Sequence, residues 1–288
     1  MNAIEIKDLC KSYGDFTLDH LNLTLPGGCI MGLVGENGAG KSTTIRLMMQ
    51  MIHKDAGTIT LLGRNVDDMD TLTKEEIGVV MDEVGFPLCL KTKEIGKIMQ
   101  LSFHNWDQNK YEQLIHQFNI PDNKQFKDFS RGMKMKTGIA VALSHNAKLL
   151  ILDEATSGLD PVVRDEVLDI LNEFTKDENH SVLISSHIVS DLEKCCDYIA
   201  FLHHGKLILC EEKDALLASY GVVNMTPDQF AALPSSSILH SKDTGYGIRA
   251  LVKRDALPDG ISISPVTIEE LFVQLVKECE LPHLNLRL

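Results

Sequence analysis

The run Gly35-Glu36-Asn37-Gly38-Ala39-Gly40-Lys41-Ser42 has the residue types and spacing needed to cradle phosphates. Glycines let successive backbone N–H groups turn inward around phosphate oxygens, and the Lys41 ammonium can reach the β and γ oxygens. The Ser42 hydroxyl is suited to ligate magnesium, and Thr43 to support the α-phosphate. A second run, Leu149-Leu150-Ile151-Leu152-Asp153-Glu154, places two carboxylates directly after four apolar residues. Such a strand delivers its acids at the carboxyl end, where open α/β sheets bind ligands. Asp153 is then expected to hold magnesium through water, and Glu154, one residue on, to polarise an attacking water as general base. Together the two runs predict magnesium-dependent hydrolysis of a nucleoside triphosphate.

Those residues need a strand, a glycine loop and a helix in that order, and the flanks supply them. Cys29–Val34 is a short apolar strand, and Ser42–Met51 reads as a helix that adds its positive end to the phosphate site. Leu149–Leu152 and Val182–Ser185 are compact apolar runs, as in central parallel strands buried on both faces, with an amphipathic helix over Val162–Phe174 between them. Upstream, Ala3–Leu9 and Phe16–Leu25 alternate apolar and polar residues about a turn at Tyr13-Gly14-Asp15, predicting an antiparallel pair. Thr58–Leu62 and Ile77–Met81 read as further strands. Lys93–Phe103, Lys110–Phe118 and Lys134–Ser144 read as a helical block, and Tyr198–Leu202 with Lys206–Cys210 as a hairpin. After Tyr220-Gly221 the texture changes to short strands among Pro, Ser and Gly, ending in an amphipathic helix over Ile268–Glu278. This sets a boundary between domains at 1–220 and 221–288.

Composition narrows the partners. With 288 residues, 44% of them hydrophobic, the chain can bury a large core. A net charge of -13 argues against nucleic acid, whose binding draws on basic surface, and against direct contact with anionic lipid. The sequence lacks the long apolar run of a membrane span, and Met1–Lys11 lacks the layout of a secretion signal, so a cytoplasmic location is expected. Seven cysteines, with only Cys195 and Cys196 as near neighbours, suit reduced structural thiols rather than a disulfide framework or a zinc site.

From Met1 to about Tyr220 the chain resembles the ATP-binding subunit of an ABC transporter, because further segments match that family's pattern in its order. Phe129-Ser130-Arg131-Gly132-Met133 resembles the family signature, ordinarily Leu-Ser-Gly-Gly-Gln. The resemblance implies that Ser130, Arg131, Gly132 and Met133 meet the γ-phosphate of ATP held by an opposite subunit. Ser157-Gly158-Leu159-Asp160 resembles the loop that crosses the dimer interface, His187 the histidine that contacts the γ-phosphate, and Tyr13 the aromatic residue that stacks on adenine. Taken singly, a histidine such as His187 is more often a packed or surface residue and a tyrosine such as Tyr13 a turn residue; order and spacing favour the functional reading.

Two positions depart from the family pattern. Where it usually has glutamine after a strand such as Ile77–Met81, this chain has Asp82-Glu83. A carboxylate at Asp82 can ligate magnesium, but it also adds negative charge beside a triphosphate. In the signature, Arg131 and Met133 replace small and amide residues, and Arg131 can pair either with phosphate or with an acidic interface.

The resemblance implies a P-loop core of α/β class, an antiparallel β subdomain, a helical subdomain over about 84–146 and a small α+β C-terminal domain. It also implies ATP and magnesium as ligands, a second ATP-binding subunit as homodimer or heterodimer partner, and attachment to the inner face of the membrane through a separate permease. Phe86 and Pro87 are the candidate contacts for that permease, with Phe86 equally readable as ordinary core, and Glu269-Glu270-Leu271-Phe272 resembles the tail of such proteins, or equally a helix closing a small core. Within the family, one cassette with a degenerate signature and a short C-terminal domain resembles bacterial export ATPases, including those linked to lantibiotics, peptide antibiotics and multidrug transport. Two other classes share these motifs, an ABC ATPase of translation or chromosome maintenance and a nucleotide sensor. The acidic surface opposes the first and the intact Glu154 and His187 the second.

Overall fold

The computed structural model describes residues 1–258 and 260–280. The chain opens with β1 (Asn2–Tyr13), β2 (Phe16–Pro26) and β3 (Ile30–Val34), then the phosphate loop and α1 (Lys41–Met48). There follow β4 (Ala56–Leu61), β5 (Arg64–Asn65), α2 (Thr71–Lys74) and β6 (Ile77–Val80). Three helices come next, α3 (Thr92–Ser102), α4 (Gln108–Gln117) and α5 (Arg131–Leu143). The chain then alternates β7 (Leu149–Asp153), α6 (Pro161–Phe174), β8 (Ser181–Ser186), α7 (Val189–Cys195), β9 (Tyr198–His203) and β10 (Lys206–Glu212).

Two sheets share this first unit, which runs from Met1 to Cys210. The antiparallel sheet has the order β2-β1-β4-β5, and the larger sheet β10-β9-β3-β8-β7-β6. In the larger sheet β3, β6, β7, β8 and β9 run parallel. β7 and β8 are buried at every position, as strands covered on both faces must be. Leu21, Leu23 and Leu25 of β2 and Ile4 and Ile6 of β1 share one apolar core with Ile45, Leu47 and Met48 of α1 and Leu33 of β3. The antiparallel sheet thus holds the helix that follows the phosphate loop. Strand β4, a plain strand by its sequence, joins β1 through pairs such as Ile6 with Ile59, so it belongs to this sheet.

The second unit runs from Glu211 to Leu288, so the division falls at Cys210 and Glu211 rather than at the change of texture near Tyr220. The reason is local: α8 (Lys213–Ser219) leads directly into β11 (Tyr220–Met225) and packs on it. After α9 (Pro227–Ala231) come β12 (Ile238–Asp243), β13 (Ile248–Lys253) and α10 (Ile268–Glu280). The sheet order is β11-β13-β12, antiparallel throughout, around a small core of Val223, Ala250 and Val252. Glu269 and Glu270 form the first turn of α10 and Leu271 is buried, an amphipathic helix as its spacing predicts.

Cys195 and Cys196 are buried with their sulfurs 3.7 Å apart, well beyond the ~2.05 Å of a disulfide. The side chain of Cys279 lies outside the described residues.

Candidate functional site

The phosphate loop leaves β3 at Val34 and enters α1 at Lys41, the connection its sequence predicts. Gly35 is needed because a Cβ there would lie 2.5 Å from the carbonyl oxygen of Leu202. Gly40 adopts φ 113° with Phe16, Leu18 and Leu202 packed beneath it, a conformation and a space closed to other residues. The crown of the loop, Glu36, Asn37 and Gly38, is exposed, while Ala39 is buried. Ser42 and Thr43 follow on the first turn of α1, both half-buried.

The Lys41 ammonium is only 5% exposed. It donates to the carbonyls of Gly35 at 2.7 Å and Glu36 at 3.2 Å and lies 3.1 Å from Glu154 Oε1. The other carboxylate oxygen of Glu154 lies 2.7 Å from His187 Nδ1. Lys41, Glu154 and His187, from three separate segments, therefore meet in one chain of contacts. A buried ammonium needs partners, and the loop carbonyls with Glu154 provide them.

Asp153 ends β7, 2% exposed. Its Oδ1 accepts a hydrogen bond of 2.7 Å from Ser185 Oγ, and the same hydroxyl accepts from the Glu154 N–H at 3.0 Å. Glu154 also donates to the Ser185 carbonyl at 3.2 Å. These ties hold Glu154 at φ 51°, a left-handed conformation that costs a non-glycine residue about 1 kcal/mol. In the sequence Ser185 enters only as the last residue of the strand Val182–Ser185. Its signal was a hydroxyl in the otherwise apolar strand Val182-Leu183-Ile184.

Among the described residues no three His, Cys, Asp or Glu side chains are grouped to hold a metal unaided. Magnesium takes one or two protein ligands and completes its shell from phosphate and water. Ser42 beside the loop and Asp153, a buried carboxylate with a single hydrogen-bond donor, are the residues suited to hold it.

Tyr13 closes β1 with its ring 45% exposed and the Lys11 ammonium 5.2 Å from the ring centre. Its cross-strand partner is Phe16, the ring that packs under Gly40. An open aromatic face is thus anchored beside the phosphate loop.

The remaining predicted residues form a second group. Ser130 is the N-cap of α5 and its hydroxyl accepts from the Met133 N–H at 3.2 Å. Gly132 packs against Val163 of α6. Asp160 caps α6, accepting from the Val162 and Val163 N–H groups at 3.1 Å each. Leu159 is buried, while Ser157 and Gly158 face outward. Arg131 forms an ion pair with Asp82 of the same chain. Phe86 is half-buried, edge-on to Phe126 at 5.5 Å between ring centres, and Pro87 is exposed.

Comparison with known proteins agrees with this arrangement. The family model described as ABC transporter matches residues 18–157. The lantibiotic transport ATP-binding protein SrtF of Streptococcus pyogenes is 36% identical over 214 residues, covering 73% of this chain and 91% of that protein. The chain belongs to the ABC transporter ATP-binding subunits. A second relative, the ABC transporter ATP-binding protein YtrB of Bacillus subtilis, is 28% identical over 283 residues, 94% of this chain and 97% of its own. The cassette also superposes on a solved ATP-binding subunit of an ABC transporter with TM-score 0.67 and 26% identity, over 74% of this chain and 91% of that one.

Proposed function

We propose that this subunit hydrolyses ATP with Glu154 as general base, working as one of two paired cassettes that drive export through a separate membrane permease. The observation that carries the reading is the placement of Glu154 between Lys41, at 3.1 Å, and His187, at 2.7 Å. Incoming β and γ oxygens compete for the Lys41 ammonium and release one Glu154 oxygen to orient the attacking water. His187 holds the other oxygen and reaches toward the γ-phosphate. The loop from Gly35 to Thr43 binds the triphosphate, with Glu36, Asn37, Gly38, Ala39 and Gly40 presenting backbone N–H groups, and Tyr13 stacks on the adenine. Ser42 and Asp153, with Asp82 from the loop after β6, would hold a magnesium ion, which would supply neutralisation of charge on the phosphate oxygens.

Ser130, Arg131, Gly132 and Met133 at the start of α5, and the loop from Ser157 to Asp160, then serve a second cassette, identical or not. Helix N-termini bind anions, and Ser130 and Arg131 stand exposed at one. Charge-assisted hydrogen bonds contribute roughly 1.5 to 3 kcal/mol each. Several of them supply the ~5.5 kcal/mol that moves an open and closed equilibrium from 1:99 to 99:1.

Among the described residues no helix is long and apolar enough to cross a membrane, which supports a separate permease and a peripheral position on the inner face of the membrane. A groove of about 400 Å³ whose lining combines Phe86, Leu88 and Phe126 with the charged Asp82, Arg131 and Lys134, with Pro87 beside it, is the surface for that contact. The relative named for lantibiotic transport supports the export assignment.

The test is Glu154→Gln. Loss of a general base costs about 10²- to 10⁴-fold in rate, so turnover should fall by that factor while ATP binding persists and an ATP-bound dimer accumulates. A fully active variant would remove Glu154 from the role.

A further inference from the structure

Arg131 touches more than its own helix. Its guanidinium pairs with Asp82, in the loop after β6, and its Nη1, Cδ and Cζ lie 3.2 to 3.3 Å from where a Cβ on Gly158 would stand. One side chain therefore spans the start of α5, the loop after β6 and the loop from Ser157 to Asp160.

Each of these segments has a direction. Val80 of β6 pairs with Leu152 of β7, so the Asp82 loop leaves the sheet at the end where Asp153 and Glu154 sit, one strand away, a spacing of about 4.8 Å. The start of α5 and the exposed Gly158 belong to the second group of residues, assigned above to the other cassette. Arg131 is moreover the first residue of α5, where a cation opposes the helix dipole and an anion is favoured. The Asp82 carboxylate supplies that anion from within the chain.

We propose that Arg131 is a positioning residue that links the metal-facing acid of its own site to the two segments that face the partner. It rests on the reading of Asp82 and the signature segment given under Proposed function. While Arg131 holds Asp82, the start of α5 and the Gly158 loop are tied to the core. When Asp82 turns to magnesium, Arg131 is released and both segments are free to meet the second cassette. The pair suits this use because its side chains are 48% and 49% exposed. Exposed pairs bias an equilibrium by roughly fivefold or less, which a metal or a phosphate readily overcomes.

The test is a magnesium titration of the full chain loaded with a fluorescent ATP analogue, read by binding rather than turnover. In Arg131→Met, Asp82 no longer has to be taken from a partner, so half-saturating magnesium should fall by about two- to fivefold. Arg131→Lys, which keeps the charge, should stay near wild type. In an Asp82→Asn background the Arg131→Met effect should vanish. Hydrogen exchange without nucleotide gives a second readout: the Met133, Lys134 and Ser157 amides should exchange faster in both single variants and no faster in the double. Unchanged or weakened magnesium affinity in Arg131→Met, or additive effects in the double variant, overturns the proposal. If the wild-type chain binds no nucleotide, the ATP site itself fails, an outcome distinct from loss of the link alone.

Discussion

Ser185 touches neither Lys41 nor His187, yet both acids depend on it. Its hydroxyl donates to Asp153 at 2.7 Å and accepts from the Glu154 N–H at 3.0 Å, so one atom sets the direction of one carboxylate and the backbone twist of the next residue. Replacing it by alanine leaves the buried Asp153 carboxylate short of its hydroxyl donor and the Glu154 N–H with only the Ser185 carbonyl at 3.2 Å, a loss of about 1 to 3 kcal/mol in stability. Groups that orient a metal-facing ligand typically matter 10- to 100-fold for activity. Ser185→Ala should therefore lower kcat by that order with a much smaller change in KM for ATP. Steady-state ATPase kinetics and a denaturant midpoint check this, and an unaltered kcat would show that Asp153 and Glu154 hold their places without it. The acids themselves were legible in the sequence because they follow an apolar strand. The serine was not, since a hydroxyl in a buried strand has many possible partners and only the pairing of β7 with β8 selects this one.

At the scale of elements, the three helices between β6 and β7 are moored at one point. Glu75, the C-cap of α2, is buried. Its carboxylate accepts from the His104 N–H at 2.8 Å, from His104 Nδ1 at 2.7 Å and from the Asn105 N–H at 3.4 Å, in the link between α3 and α4. Its backbone carbonyl accepts from His145, just beyond α5, at 2.7 Å. The His104 side chain foremost, helped by these N–H groups, holds the Glu75 carboxyl below its ordinary value of 4.5. A carboxyl whose folded value is depressed stabilises the fold above its unfolded value, and that contribution is lost as pH falls through the folded value. Glu75→Gln should thus cost about 1.5 to 3 kcal/mol at pH 7, the range for hydrogen bonds to a charged group. The gap between variant and wild type should narrow as pH falls below 4.5 and close only once pH is below the folded value. Urea titrations at pH 7 and at a descending series below pH 4.5 measure it, and a gap independent of pH would assign the loss to packing instead.

The same elements show where sequence reasoning stops. Strands β1, β2, β3, β7 and β8 were legible from alternation or from continuous apolar runs. Helix α5 begins at Arg131, three residues before the Lys134 start that periodicity suggests, because the Ser130 cap rather than an apolar stripe sets its first turn. Helix α7 was not foreseen, and it is only seven residues long, too short for a period to register. The partner of Arg131 lies 49 positions away, a contact that only the tertiary fold creates.

At the scale of the whole molecule, the change of texture near Tyr220 is a signal of composition, whereas the division at Cys210 and Glu211 is one of packing. The core that carries α1 and the phosphate loop draws on residues from Ala3 to Cys210. The small core of the second sheet draws on Val223 to Ile263. Every residue assigned above to nucleotide, metal or partner cassette lies in the first unit. The match to SrtF covers 73% of this chain, a length that a cassette alone accounts for. A chain ending at Glu212, which keeps β10 complete as the edge strand, should therefore fold and bind nucleotide. A ligand that binds only the folded state raises stability by about 2.7 kcal/mol at a hundredfold excess over its Kd. The shortened chain should consequently show the same upward shift in unfolding midpoint on adding ATP and magnesium as the full chain does, whatever its starting stability. A shortened chain that folds cooperatively but shows no such shift would make the second unit part of the nucleotide site, and would require some contribution from residues beyond Glu212 that the two separate cores do not suggest.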